Sequence, residues 1–460
     1  MPPLEVWEKV LIDPEALLGT VHGYISCIDC HGGRNLADKA AAHVGVVRDP
    51  SVDAEAACGA CHPDIAPFQA YSLHNNLAGY DTVLYQRSMP ENHPAIEAGQ
   101  EYHCQNCHTT CGQCHISQPT SVGGGLIDGH VFNRTPSMSR QCTACHGSRV
   151  KNEYTGAHEG LAADVHLRSV RMVCTDCHTG GDMHGTDYVT VAEDGTITAS
   201  RDHRYDGPQG PSCESCHRDV VGIGSGNPYH EAHGTEVLSC QVCHSISYIN
   251  CYDCHLERTE DDIAYYRLQH EEIGFYIGRN PIRSAERPYR YVPLRHVPTY
   301  PDLFRLYGED VLNNFDSLPT WTYATPHNIQ RNTPQTASCE SCHTNNALFL
   351  TPDKVREEEL TANQGVIVLG APPMPEEYRR VPLPGEETAA PSVAPAAAPT
   401  ADPLDVPPAG VDPLAVPPAA PTVDPLDVPS AAPTVDPLDV PSAAPTAAPT
   451  VDPLDVPPAK

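Results

Sequence analysis

The chain has 460 residues, among them 20 Cys, 25 His and 47 Pro, and its formal net charge is −31. This acidic balance argues against nucleic acid as a partner, because nucleic-acid-binding proteins present basic surfaces, and against an anionic membrane surface. No run of about 18 apolar residues occurs, so the sequence predicts no transmembrane segment. Only 6% of the residues are aromatic, so a conventional apolar core would be underfilled.

All 20 cysteines belong to ten Cys-x-x-Cys pairs, and a His follows every pair directly. C-x-x-C-H is the attachment motif of c-type haem: the two thiols form thioethers with the haem, and the His becomes the proximal iron ligand. Disulfide frameworks and zinc sites also use Cys pairs, but neither needs a His after every second Cys. We number the motifs sites 1 to 10 in chain order: Cys27/Cys30/His31, Cys58/Cys61/His62, Cys104/Cys107/His108, Cys111/Cys114/His115, Cys142/Cys145/His146, Cys174/Cys177/His178, Cys213/Cys216/His217, Cys240/Cys243/His244, Cys251/Cys254/His255 and Cys339/Cys342/His343. The predicted cofactor is therefore haem c, ten covalently attached groups per chain.

The beginning of the chain bears on where the protein works. Covalent haem attachment takes place outside the cytoplasm, so we expect export to the periplasm, the cell surface or the extracellular space. Residues Met1–Asp13 contain acidic side chains and lack the apolar stretch of a signal peptide, which indicates a leader that this sequence does not include.

Residues 1–388 form the predicted decahaem domain. Most of its motifs lie too close together for separate domains with their own cores, so the porphyrins are expected to supply the missing apolar bulk. We predict mostly coil with short α-helices wrapped around a haem chain, and little β-structure. Two residues separate sites 3 and 4, and six separate sites 8 and 9. The short reach of the chain predicts that these are stacked haem couples.

The segment 256–338 within this domain has no haem motif and is rich in aromatic residues and Arg. Thr259–Asp262 resembles a helix start, followed by apolar residues at helical spacing up to Ile273, and Asp302–Phe315 also has a helical pattern. We interpret the aromatic residues as packing over the last haems, with a partner or substrate surface as the alternative. The basic residues are expected to pair with haem propionates, or else with an oxyanion of sulfur or nitrogen. They are Arg267, Arg279, Arg283, Arg287, Arg290, Arg295 and Arg305.

Composition changes completely in residues 389–460. This Pro/Ala/Asp-rich tail repeats a Pro-Leu-Asp-Val unit and contains no aromatic residue, Cys or His. Such a segment cannot bury enough apolar surface to fold alone, so it is predicted to be a disordered or extended spacer.

Fifteen histidines remain after the ten motif histidines, enough to give every iron a second imidazole. The economical interpretation is bis-His ligation throughout. We expect the distal ligands to be His22, His43, His74, His130, His166, His184, His203, His233, His296 and His327. The remaining five are set aside: His103 abuts Cys104, His230 shares a segment with His233, His93 precedes a Pro, and His158 and His270 have polar surroundings.

The doubled motif CQNCHTTCGQCH and the run CQVCHSISYINCYDCH resemble bis-His octahaem and decahaem cytochromes c, over residues 20 to about 350. The segments VHGYISCIDCHGG and DVHLRSVRMVCTDCH, with a His shortly before the motif, are also similar. The resemblance implies electron transfer through a haem chain. Some members of this group are tetrathionate-reductase-like or hydroxylamine-type enzymes, and others polymerise into extracellular cytochrome filaments. The chain lacks the Cys-x-x-Cys-Lys site that marks cytochrome c nitrite reductases.

Two functions follow as alternatives. The first is an exported electron conduit without catalytic residues, serving other redox proteins or electron acceptors and able to self-assemble into a filament. The second is a multihaem oxidoreductase with one open iron, acting on tetrathionate, nitrite or hydroxylamine. The surplus of His favours the conduit, because bis-His ligation leaves no coordination position for a substrate.

Overall fold

A computed structural model describes residues 4–376, except residues 77, 158–159, 200–210 and 249. These residues are mostly coil and turns with short helices and little sheet, as the sequence predicted. None of the described helices has the length and apolar character needed to cross a membrane. The predicted ligand His203 and the tail 389–460 lie outside the described residues, and so do the side chains of Cys251 and Cys254.

The described α-helices are three to seven residues long. In chain order they are α1 Pro14–Leu18, α2 Cys27–His31, α3 Lys39–Ala42, α4 Ala54–Cys58, α5 Ala78–Leu84, α6 His93–Gly99, α7 Cys111–His115, α8 Thr143–Cys145, α9 Asn152–Thr155, α10 Val165–Val170, α11 Cys174–Cys177, α12 Gly180–His184, α13 Cys213–Cys216, α14 Pro228–His233 and α15 Cys240–His244. Helices this short are marginal alone in water, so their stability must come from tertiary contacts.

Most haem motifs coincide with one helical turn. Helices α2, α7, α11, α13 and α15 each begin at the first Cys of a motif, and Gln105–Cys107 and Cys339–Ser341 form 3₁₀ turns at sites 3 and 10. Ser or Thr precedes several of these turns at the cap position that such residues favour; Ser212, for example, accepts a hydrogen bond from the backbone N–H of Ser215. Residues three apart in a helical turn share one face, so both thiols of a motif can reach the same ligand.

Three small antiparallel sheets complete the fold. They pair β1 Val189–Val191 with β2 Ile197–Ala199, β3 Asn250–Arg258 with β4 Ala264–Ile273, and β5 Tyr276–Arg279 with β6 Tyr291–His296, which also pairs with β7 Trp321–Tyr323. The site 9 motif lies in β3, so its backbone is extended where the other motifs are helical or turn-like.

The two helices predicted in the segment 256–338 are wrong. Residues 259–263 form the turn of the β3–β4 hairpin, in which Leu256 pairs with Tyr266 and Arg258 with Ala264. Residues 302–314 form successive turns, followed by a 3₁₀ turn at Phe315–Ser317. In both places pairing and packing with distant residues override a local helical pattern.

The apolar core lies in the C-terminal half of the described chain. Only seven of its thirty buried hydrophobic residues precede residue 240. Phe304 and Phe315 pack in one cluster with Leu84 and Ile96, and Trp321 packs in a second with Val292 and Leu294. The aromatic residues of 256–338 therefore contribute mainly to packing. By contrast, the N-terminal region leaves large apolar side chains exposed, for example Tyr24 at 89% and Val21 at 77%.

Candidate haem sites

The described cysteines carry free thiols at every motif except site 9, where the Cys side chains are not described. The disulfide alternative therefore finds no support. Among the described residues, no group of three or more His, Cys, Asp or Glu side chains forms a metal site by itself. Structural zinc is held by four protein ligands, so the described motifs do not fit zinc.

Cys30 and Cys61 are the second cysteines of sites 1 and 2. Cys30 is half-buried in α2, and Cys61 is exposed in the turn that follows α4. Within the described residues neither thiol has a hydrogen-bond partner, whereas several thiols of sites 3 to 8 contact a neighbouring site. Both lie close enough to the Cys58 thiol to help burial raise its pKa. Haem attachment at Cys30 and Cys61 therefore stays a prediction from the motif alone, and what the structure adds is that sites 1 and 2 are neighbours.

Among the described residues, seven motif histidines each face a second histidine from outside their own motif. The distances between ring centres are 6.2 Å for His62 and His22, 6.0 Å for His31 and His130, 6.2 Å for His146 and His74, 6.1 Å for His115 and His184, 6.0 Å for His217 and His166, 6.2 Å for His244 and His230, and 6.1 Å for His343 and His233. The seven values thus span only 0.2 Å.

This separation lies within the range of ordinary contacts between aromatic rings, and its near constancy over seven pairs also fits one metal ion between the two rings. A transition metal binds a histidine nitrogen at about 2.0 Å, and that nitrogen lies about 1.1 Å from the ring centre, so two rings on opposite sides of one ion have centres about 6.2 Å apart. Each pair includes the His of a C-x-x-C-H motif, so the chain's residues at these seven sites fit a bis-His haem.

The other ring nitrogen of many of these histidines is engaged by the protein. Nδ1 of His31 is 2.9 Å from the carbonyl oxygen of Val47, and Nδ1 of His115 is 2.7 Å from that of Asn133. Nδ1 of His166 is 3.0 Å from a carboxylate oxygen of Asp164, which also caps α10. A partner of this kind fixes the tautomer, orients the ring and leaves Nε2 for a metal.

The pairing also influences protonation. Burial and the neighbouring His146 lower the pKa of His74 to about 4. Burial and His62 likewise lower the pKa of His22. A ring must be neutral to ligate a metal, so these shifts keep both rings in a ligating form at neutral pH.

Six of the ten expected distal ligands face a motif histidine: His22, His74, His130, His166, His184 and His233. The sequence favoured His233 over His230 as a ligand because the two share a segment, but the structure does not separate them in this way. Both lie on α14, and they face the histidines of different sites, 8 and 10. Two residues three apart lie on neighbouring parts of a helix surface, which allows one short helix to serve two sites.

Two of the other expected ligands have different surroundings. His296 is buried; its Nδ1 is 2.7 Å from the carbonyl oxygen of Val297, and its Nε2 is 3.0 Å from both carboxylate oxygens of Glu359. Both ring nitrogens are therefore engaged by protein groups in this structure, and iron ligation by His296 stays a prediction. His43 is exposed at the end of α3 with Nδ1 2.7 Å from its own helix carbonyl at Lys39, and no motif histidine faces it in the described part of the chain.

The motif histidines of sites 3, 6 and 9 do not belong to the seven pairs. Nδ1 of His178 at site 6 is 3.0 Å from Asp182, and this hydrogen bond is the main reason that its pKa is raised. The expected ligand His327 lies near enough to His178 for this neighbour to help burial lower its pKa. His255 at site 9 is buried, with Nδ1 3.4 Å from Asp302. His108 at site 3 is half-buried beside Tyr80.

Several of the basic residues in 256–338 are paired within the chain. Arg295 is 2.5 Å from the buried Glu153, and Arg267 and Arg305 both reach Glu257 at 3.2 and 3.3 Å. These arginines therefore already have carboxylate partners in the protein, whether or not propionates join them.

No protein-family model, curated protein or solved structure matches this chain. The case for its function therefore depends on the motifs and on the geometry of the histidine pairs.

Proposed function

We propose that this chain is an exported electron conduit that carries ten covalently attached c-type haems. The observation that supports it best is the set of seven histidine pairs, each with a motif histidine on one side and ring centres 6.0–6.2 Å apart. When bound, each haem supplies a one-electron redox centre. The motif cysteines would anchor it, the two histidines of a pair would ligate its iron, and the Nδ1 partners would hold the rings in place.

The distribution of apolar side chains supports the same proposal. The part of the chain that contains sites 1 to 7 buries few hydrophobic residues and leaves many exposed. Burial of apolar area is the dominant stabilising contribution in folding. Porphyrins enclosed by this region would provide that area, so we propose that the haems form its core. The partners would be other redox proteins or electron acceptors, and filament assembly is a further hypothesis that electron microscopy can test.

The test is spectroscopic. The purified protein should exceed the polypeptide mass by about 6 kDa, from roughly 0.6 kDa for each haem attached at a motif, and denaturation should not release the haem. Electron paramagnetic resonance of the oxidised protein should show only low-spin ferric signals, and carbon monoxide should not bind the reduced protein. A high-spin haem in the native protein, together with turnover of tetrathionate, nitrite or hydroxylamine, would replace the conduit with the oxidoreductase.

A further inference from the structure

The order of the sites in space differs from their order in the chain. At the N-terminal end, α2 of site 1 packs against α4 of site 2. Ser51, just before α4, donates a hydrogen bond of 2.7 Å to Thr110, which caps α7 of site 4. The Cys111 thiol of site 4 also lies 3.5 Å from Gln69, which follows the site 2 motif. Site 2 therefore adjoins site 4 directly.

Sites 3 and 4 both adjoin site 5. Ser121, in the turn after the site 4 motif, has its hydroxyl 3.4 Å from the Cys145 sulfur of site 5. The same turn, Thr120–Val122, contacts both the site 3 turn Gln105–Cys107 and helix α8 of site 5, and the Cys107 side chain lies next to that of Cys145.

Site 6 also contacts site 5. Helix α11 of site 6 packs on the helical turn Met138–Cys142 that leads into site 5. The Cys142 side chain lies next to that of Cys174, the first Cys of α11. The two sulfurs of site 5 are therefore divided between its neighbours: Cys145 contacts sites 3 and 4, and Cys142 contacts site 6.

The remaining sites continue from site 6 in one direction. His166, on the helix just before α11, faces His217 of site 7. The Cys240 sulfur of site 8 lies 3.8 Å from Glu214, which stands between the two cysteines of site 7. Sites 8 and 10 receive their facing histidines from the single helix α14, and Cys243 and Cys342 pack in the same apolar cluster.

Site 9 lies on the other side of site 3. Strand β4 contacts the helical turn Gln100–Cys104 that leads into site 3. The Tyr266 hydroxyl of β4 is 3.9 Å from the Cys104 sulfur. In β3, the carbonyl oxygen of Glu257, two residues after the site 9 histidine, lies 2.9 Å from Nε2 of His103.

We propose that site 5 is a three-way junction: the main array runs through sites 1, 2, 4, 5, 6, 7, 8 and 10, and a side arm leaves site 5 through site 3 towards site 9. This inference rests on the proposed function. It adds to the expectation that sites 3 and 4 form a couple, because both of these sites also adjoin site 5. Such an array has three ends, so it can exchange electrons with a partner at the β3–β4 hairpin as well as at sites 1 and 10.

The experiment traces where an electron can go from site 2. His22→Ala opens the site 2 iron, and carbon monoxide then holds an electron there in partly reduced protein. A laser flash removes the carbon monoxide, and transient absorption measures how much of the electron leaves site 2. In the same background, Cys104→Ala/Cys107→Ala removes site 3, and Cys142→Ala/Cys145→Ala removes site 5.

The junction predicts opposite results for the two deletions. Without site 3, the electron should still spread over the eight irons of the main array. The fraction of the electron that leaves site 2 should then be nearly the same as in the His22→Ala protein that keeps all ten sites. Without site 5, it should not reach sites 6, 7, 8 and 10, and its loss from site 2 should fall. If the deletion of site 3 instead confines the electron to sites 1 and 2, the sites are in chain order and the junction is refuted.

A second measurement does not depend on the variants maturing correctly. Iron positions in the native, fully loaded protein, obtained by electron cryo-microscopy, should place the irons of sites 3, 4 and 6 nearest to that of site 5. An iron of site 3 lying between those of sites 2 and 4 would overturn the junction while leaving the conduit intact. Failure of the proposed function would be visible earlier, as high-spin iron in the native protein.

Discussion

Helix α14 offers the sharpest test of how the iron sites are completed. His230 and His233 lie three residues apart, and their rings face His244 and His343 at 6.2 and 6.1 Å. Nδ1 of each ring is held by a backbone carbonyl, that of Val220 for His230 and that of Tyr229 for His233. We therefore expect each to complete a different iron site.

The variants His230→Ala and His233→Ala should each open one iron in ten. In the oxidised protein, a high-spin ferric signal should appear that integrates to one tenth of the iron, and the double variant should show two tenths. The reduced single variants should bind one carbon monoxide per chain. Added imidazole should restore the low-spin signal, because it can occupy the vacant position without a covalent link to the chain.

The matched control is His296→Gln, which keeps a hydrogen-bond donor for Glu359 but removes an imidazole. Both nitrogens of His296 are occupied by the protein, so this variant should remain entirely low-spin. The reasoning from ring geometry is refuted if His230→Ala stays low-spin, or if His296→Gln produces a high-spin iron.

Three further expectations concern stability and the tail. The buried Arg87 donates hydrogen bonds to three backbone carbonyls in residues 315–319. Arg87→Ala should therefore lower the free energy of unfolding by about 3 kcal/mol or more, because those acceptors lose their donor. Thermal denaturation checks this, and an unchanged melting temperature would contradict it. Burial alone would raise the pKa of Glu359, but the hydrogen bond and charge of His296 outweigh burial and lower this pKa. The stability lost in Glu359→Gln should therefore be greatest above the usual glutamate pKa and should disappear as the pH falls through the lowered value. A stability difference that does not depend on pH would show that the carboxylate charge is not involved. Deletion of residues 389–460 should leave the haem spectrum unchanged, since that composition provides no ligand and no core; a changed spectrum would mean that the tail packs on a haem site.

The sequence by itself predicts the chemistry of each motif. The spacing of two cysteines and a histidine is local, and one helical turn is enough to bring the three residues together, as at α2, α7 and α15. The abundance of coil was predictable too, since Gly, Pro and closely spaced motifs leave no room for long helices. Six of the ten histidines that the sequence predicts as distal ligands also face a motif histidine in the structure.

The tertiary structure decided which parts of the chain meet. His233 and His343 are far apart in sequence, yet their rings lie 6.1 Å apart, and no local pattern encodes such a pairing. The same holds for the hairpin of β3 and β4, whose helical pattern yields to strand pairing, and for His296, whose burial beside Glu359 depends on a loop more than 60 residues away. The order of the sites around Cys145 is likewise a product of packing, because contacts between separate turns, and not their succession along the chain, determine which sites are neighbours.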